Sequence, residues 1–167
     1  KNFLAGTAPA DWLSVRPAEF YQEQNIDVRL ATQVVGIDPA RRQLQLADGS
    51  HLAYGALLLA TGAEPVRLDL PGAHLPHVHV LRTQADGEAL ATAAAGAQRA
   101  VIIGASFIGL EVAASLRARN IEVHVVGRES VLMEKVLRPQ VGAYLKKLHE
   151  KNGVVFHLGT DPVSIDA

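Results

Sequence analysis

The chain contains no cysteine, one methionine and one tryptophan, and aromatic residues make up only 5% of it. Without thiols it has no disulfide framework and no thiol nucleophile in this stretch, and the absence fits a reducing compartment. Charge of one sign is also lacking: 16 Lys and Arg against 17 Asp and Glu leave a net charge of −1. No basic stripe is present for a phosphate backbone or an anionic surface, so neither nucleic acid nor a membrane is expected as a partner. The densest apolar run, Leu52 to Ala60, is far shorter than the roughly 20 residues that cross a bilayer. The N-terminus carries no signal-peptide pattern. These absences leave a cytoplasmic α/β protein as the expectation.

What the chain does have is an apolar content of 49%, enough for a packed core, and one strongly patterned segment. Arg99 to Gly104 reads as a buried strand, because Val101, Ile102 and Ile103 run together without alternation. Gly104 makes a tight turn, and Gly109 lets the following helix pack close to the strand. Together Gly104, Ala105, Ser106, Phe107, Ile108 and Gly109 form the strand–turn–helix that cradles a dinucleotide pyrophosphate. Ser106 replaces the middle glycine of that fingerprint; it is expected to cap the helix and to offer its hydroxyl to a phosphate. Ile108, Val112 and Leu116 recur at helical spacing and should face the sheet. A second strand, Ile121 to Val126, ends in Gly127-Arg128-Glu129. Glu129 lies about 20 residues beyond Gly109, where an acid meets the adenosine ribose hydroxyls. Arg128 could instead hold the 2′-phosphate of NADP. The choice stays open, with NADH favoured.

The fingerprint begins far into the chain, behind a block of strands. Pro17 is placed to start a helix at Ala18, and Val28 to Leu30 reads as a short strand. Gln33 to Ile37 and Gln43 to Leu46 alternate around Asp38-Pro39-Ala40-Arg41 as a hairpin, and Asp48-Gly49 turns the chain into Ser50 to Tyr54. These antiparallel strands form an inserted β-layer. Ala56 to Gly62 reads as another buried strand, and Glu64 to Pro76, broken by prolines, as a crossing linker. Residues 83–97 form an alanine-rich helix. Beyond the fingerprint, Pro139 to Lys151 is a helix with Val141, Tyr144, Leu145 and Leu148 on one face, and Val154 to Phe156 is a third strand. His74, His77 and His79 sit in a proline-broken loop without a carboxylate or cysteine at ligand spacing, so no metal site is expected.

Three segments, taken in order, resemble a known group. Lys1 to Gly6 is similar to a lysine-containing segment beside a flavin, Leu58 to Ala63 to an A-T-G strand end that approaches FAD, and Ile103 to Ala114 to an NAD fingerprint that includes Glu111. The chain thus resembles the FAD-dependent pyridine nucleotide-disulfide oxidoreductase superfamily, in its ferredoxin/rubredoxin-reductase and apoptosis-inducing-factor-like branch. The resemblance implies an α/β fold: a Rossmann-like NAD(P)-binding βαβ unit (residues 81–167) preceded by part of an FAD-binding domain with an antiparallel β-layer (residues 1–80). A first fingerprint for the FAD pyrophosphate is missing, and the NAD(P) domain looks incomplete at its C-terminus, so an internal fragment, inactive by itself, is expected.

The same resemblance implies an NAD(P)H-dependent flavoprotein reductase. Hydride would pass from NAD(P)H to FAD, and electrons onward to an iron–sulfur protein such as ferredoxin or rubredoxin. Lys1 and Glu111 would be the catalytic pair, with Glu111 in the first turn of its helix. Val34, Ala60, Thr61, Gly62 and Arg67 would join Lys1 around FAD; Arg67 stands one position later than the arginine that usually follows the proline. A redox-sensing protein of the apoptosis-inducing-factor type, a disulfide reductase and an inactive dinucleotide-binding fragment remain as alternatives. The oligomeric state is not legible.

Overall fold

The structure, a computed structural model, describes residues 2–9 and 14–166. The chain divides into two compact units: Ser14–Ala63, and Glu64–Ala167 together with the N-terminal Lys1–Leu13. A one-turn helix, α1 (Asn2–Ala5), belongs to the second.

In the unit Ser14–Ala63, helix α2 (Ala18–Glu23) begins directly after Pro17, which occupies the N-cap with an extended backbone. An antiparallel meander follows, β1 (Val34–Asp38), β2 (Gln43–Leu46) and β3 (His51–Ala53), in the order β1-β2-β3. Its two turns are set by aspartates. Asp38 Oδ1 accepts the Arg41 N–H at 2.9 Å. Asp48 Oδ1 accepts both the hydroxyl of Ser50 at 2.7 Å and its N–H at 2.9 Å. These bonds, the hydroxyl's above all, hold the Asp48 carboxyl below its usual range. The expected hairpin and its returning strand are therefore present. Two other expected strands are not. Val28–Leu30 and Ala56–Gly62 have no regular structure, and Leu58 stays 87% exposed. A strand needs a neighbour to take up its N–H and C=O groups, and among the described residues neither segment has one.

The other unit is built on a parallel sheet, β4 (Arg99–Ile103), β5 (Glu122–Gly127) and β6 (Val154–Leu158), in the order β4-β5-β6. Helix α4 (Phe107–Arg117) links the first pair and α5 (Pro139–Lys151) the second. Ahead of them, α3 (Gln84–Gly96) opens with a capping box: Thr83 Oγ1 accepts the Asp86 N–H at 3.1 Å, and Asp86 Oδ2 accepts the Thr83 N–H at 2.8 Å. The core joins Leu110, Ala113 and Leu116 of α4 to Val123 and Val125 of β5, with Leu4 of α1 and Ala94 of α3 at its border.

Three burial patterns depart from expectation. Strand β4 is not buried on both faces: Ala100 and Ile102 turn to the core, while Val101 is 61% exposed. A short apolar run does not reveal how many of its faces are covered. On α4 the buried stripe is Leu110, Ala113 and Leu116; Ile108 is 62% exposed and Val112 only partly covered. Leu116 therefore faces the core as expected and Val112 packs at its margin, while Ile108, next to the close approach at Gly109, turns outward. On α5 the inward residues are Gly142, Leu145, Lys146 and His149, the last set edge-on to Phe156, whereas Val141, Tyr144 and Leu148 are exposed.

Two outcomes follow from this packing. A Cβ on Gly142 would lie 2.4 Å from the Leu132 carbonyl oxygen and 2.6 Å from Val131 Cγ1. Gly142→Ala is therefore expected to lose about 1–3 kcal/mol in urea unfolding, although alanine is ordinarily the better helix former. At the α3 cap, the Thr83 and Arg82 N–H groups hold the Asp86 carboxyl below its ordinary value of 3.8. A depressed carboxylate contributes stability that is complete above the ordinary value and is lost as pH falls through the native one. Unfolding curves of Asp86→Asn should lack this part of the acid-induced loss.

Candidate functional site

Strand β4 runs out at Ile103, and the Gly104 N–H donates to the Val126 carbonyl at 2.8 Å as the chain leaves the sheet. Gly104 then adopts φ +117°, closed to side-chain-bearing residues. A Cβ there would meet nothing within 4 Å, so the space beside the turn is open. At Gly109 a Cβ would fall 2.0 Å from the Gly104 carbonyl oxygen, so helix and strand end approach as closely as backbones can. One glycine supplies a conformation and the other a missing volume.

Ser106 occupies the N-cap of α4 in an extended conformation, but its side chain makes no capping bond, contrary to expectation. The hydroxyl instead donates to Met133 Sδ at 3.6 Å, because the 129–137 loop folds against the turn and Met133 gives its N–H to the Ala105 carbonyl at 3.2 Å. Met133 is buried and takes φ +59° there. Phe107 and Ile108 lie exposed in the first turn. The first N–H groups of α4 have no intrahelical partner, and they sit at the positive end of the helix.

The register Ile103↔Val126 brings the end of β5 alongside this turn. A Cβ on Gly127 would lie 3.1 Å from that of Ala105 and 2.9 Å from Glu129 Oε2, so the Glu129 carboxylate folds back over the buried Gly127. Arg128 is exposed, and its Nε is paired with Asp161. Two backbone bonds place that aspartate: Gly159 N–H to the Glu129 carbonyl at 3.1 Å, and Thr160 N–H to the Gly127 carbonyl at 3.2 Å. Neither Met133 nor Asp161 was expected here. The left-handed Gly159 turn is the one local signal that the chain doubles back after β6.

Glu111 is the fifth residue of α4, in its second turn rather than its first, so the helix dipole does little for it. It borders a cavity of about 180 Å³ with Leu4, Leu81, Arg82, Ile108 and Val112. Helix α1 packs against α3 and α4 at this place. Lys1, just before α1, lies outside the described residues. Val34 is half-exposed at the start of β1, beside a register shift. Ala60, Thr61 and Gly62 are exposed, with Gly62 at φ +77°. All four belong to Ser14–Ala63, whereas Arg67 belongs to the other unit, where its charge helps lower the Asp86 carboxyl.

The turn at Gly104–Gly109 fits a pyrophosphate: a helix N-terminus whose first N–H groups lack intrahelical partners, with open space beside Gly104. Among the described residues Ser14–Ala63 holds no second strand–turn–helix. Gly109→Ala is expected to lose about 1–3 kcal/mol of stability and to weaken NAD+ binding in calorimetric titration. Gly96→Ala, where a Cβ would meet nothing within 4 Å, should leave both nearly unchanged.

Comparison with known proteins places this geometry. The family model described as pyridine nucleotide-disulphide oxidoreductase matches residues 3–167. The chain is 36% identical over 167 residues to rhodocoxin reductase of Rhodococcus erythropolis, covering 100% of this chain and 39% of that protein. It is 36% identical over 163 residues to putidaredoxin reductase of Pseudomonas putida, covering 96% of this chain and 39% of the relative. A ferredoxin reductase structure from Rhodopseudomonas palustris superposes with a TM-score of 0.90 at 38% identity, covering 100% of this chain and 41% of that one. The chain thus spans about two fifths of the length of the relatives it matches. With the fingerprint turn, the β-layer and the match over residues 3–167 in agreement, the chain belongs to the pyridine nucleotide-disulphide oxidoreductase family.

Proposed function

We propose that this chain is the nucleotide-facing part of an FAD-dependent NAD(P)H reductase that serves an iron–sulfur protein of the ferredoxin or rubredoxin class. The observation that carries the reading is the Gly104–Gly109 cradle, held within a chain that aligns over its whole length with rhodocoxin reductase. In this reading residues 81–167 are the NAD(P) domain and residues 1–80 part of the FAD domain.

The N–H groups at Ala105, Ser106, Phe107, Ile108 and Gly109 receive the pyrophosphate at the open side of the turn. Glu129 takes the ribose hydroxyls, and with Arg128 engaged by Asp161 the site prefers NADH. The two cofactors, when bound, supply the hydride transfer between their rings. The protein's share is position and charge. Glu111 holds the Lys1 ammonium, which offsets the negative charge that the flavin gains on reduction. The support for that pair is indirect: α1, which follows Lys1, packs on the helix that carries Glu111, and Leu4 and Glu111 border one cavity. Val34, Ala60, Thr61, Gly62 and Arg67 complete the flavin side. A putidaredoxin reductase structure, 35% identical with a TM-score of 0.87, was solved as a covalent complex with putidaredoxin, which supports an iron–sulfur acceptor.

The test is an anaerobic visible spectrum of the purified protein as NADH, then NADPH, is added. In the whole reductase that contains this chain, a flavin band that bleaches, more efficiently with NADH, supports the reading; a whole protein that carries no flavin and takes up none contradicts it. Glu111→Gln in that whole reductase should slow flavin reduction at least about tenfold, or about 1.4 kcal/mol in the barrier.

A further inference from the structure

The charged residues at the end of β5 gain a partner from a different element. Arg128 and Glu129 follow β5 directly, while Asp161 arrives from the chain beyond β6. It does not arrive by chance contact of two long side chains. The Gly159 and Thr160 N–H groups bond to the Glu129 and Gly127 carbonyls at 3.1 and 3.2 Å, and Gly159 turns at φ +69°. This short backbone clasp delivers the Asp161 carboxylate to the Arg128 guanidinium. Arg128 is the basic side chain that directly follows β5, between Gly127, which has no side chain, and the acidic Glu129.

From this clasp we infer that Asp161 is a specificity-determining residue that sets the site against a 2′-phosphate on the adenosine ribose. The inference rests on the proposed dinucleotide site. A 2′-phosphate needs a guanidinium free to receive it, ideally with two N–H groups at once. Asp161 occupies that guanidinium, and Glu129 adds a carboxylate directly beside it. A phosphate approaching there must displace one anion and tolerate another. The ribose hydroxyls of NAD are neutral and meet neither cost. Because Arg128 and Asp161 are both more than half exposed, their pair is weak, and the bias it sets is a modest one that a single substitution can reverse.

The experiment is calorimetric titration of the protein with NAD+ and with NADP+, which differ only in the 2′-phosphate and undergo no turnover when added alone. The unmodified protein should bind NAD+ more tightly. Asp161→Asn should tighten NADP+ binding roughly five- to tenfold and change NAD+ binding less than about twofold. Adding Arg128→Gln to Asp161→Asn should abolish the gain, because the freed guanidinium is what receives the phosphate. Asp161→Ser, which keeps a small polar group, should repeat the effect if asparagine disturbs the clasp. If NAD+ binds but the NADP+ ratio does not move in either Asp161 variant, or moves equally with Arg128 removed, the inference is overturned while the dinucleotide site stands. If neither nucleotide binds any of the proteins, both fail together.

Discussion

Everything that can be said of function hangs on the contact between the Gly104 carbonyl oxygen and the α-carbon of Gly109. No side chain fits between them: a Cβ would sit 2.0 Å from that oxygen. This closeness seats α4 on the end of β4 and sets the turn of the helix about its axis. It is why Ala113 and Leu110 meet the sheet while Ile108 faces outward. It also leaves the helix N-terminus open at the C-terminal edge of a parallel sheet, the place where α/β folds bind their ligands. Loop 129–137 and the end of β5 then close in around the turn through Met133, Ala105 and Gly127. The site is a consequence of how two backbones touch, and its side chains are added afterwards.

Much of the fold was legible because its signals are local. Asp38-Pro39 and Asp48-Gly49 set their turns through side-chain bonds that span only a few residues. The alanine-rich composition of residues 83–97 marked α3, and Pro139 and Gly153 bracketed α5. What failed were readings that depend on distant partners. Ala56–Gly62 has the composition of a buried strand, but no ladder neighbour among the described residues, and its leucines remain at the surface. On α5 only Leu145 of the expected stripe packs on the core, and Gly142, which carries no hydrophobic signal at all, is the residue set against Leu132.

The candidate site divides along the same line. The glycines and Glu129 could be placed from spacing, since turn and strand follow each other in the chain. The side-chain role given to Ser106 could not. Its hydroxyl turns to Met133, whose approach depends on a loop well downstream. Asp161 is more remote still; it reaches Arg128 only because β6 lies parallel to β5 and the chain doubles back after it. Hydrophobic periodicity and turn chemistry carry no information about such pairs. The site is therefore best described as a legible cradle with an illegible rim.

The most direct measurement of the central claim is the change in backbone amide NMR shifts as NAD+ is added to isotopically labelled protein. Shifts concentrated at Gly104 to Gly109 and at Arg128 and Glu129, saturating together, are the predicted result. Shifts confined to the open sheet face around His124 and His157, or no saturable shifts at all, would contradict the assignment of this turn as the nucleotide cradle.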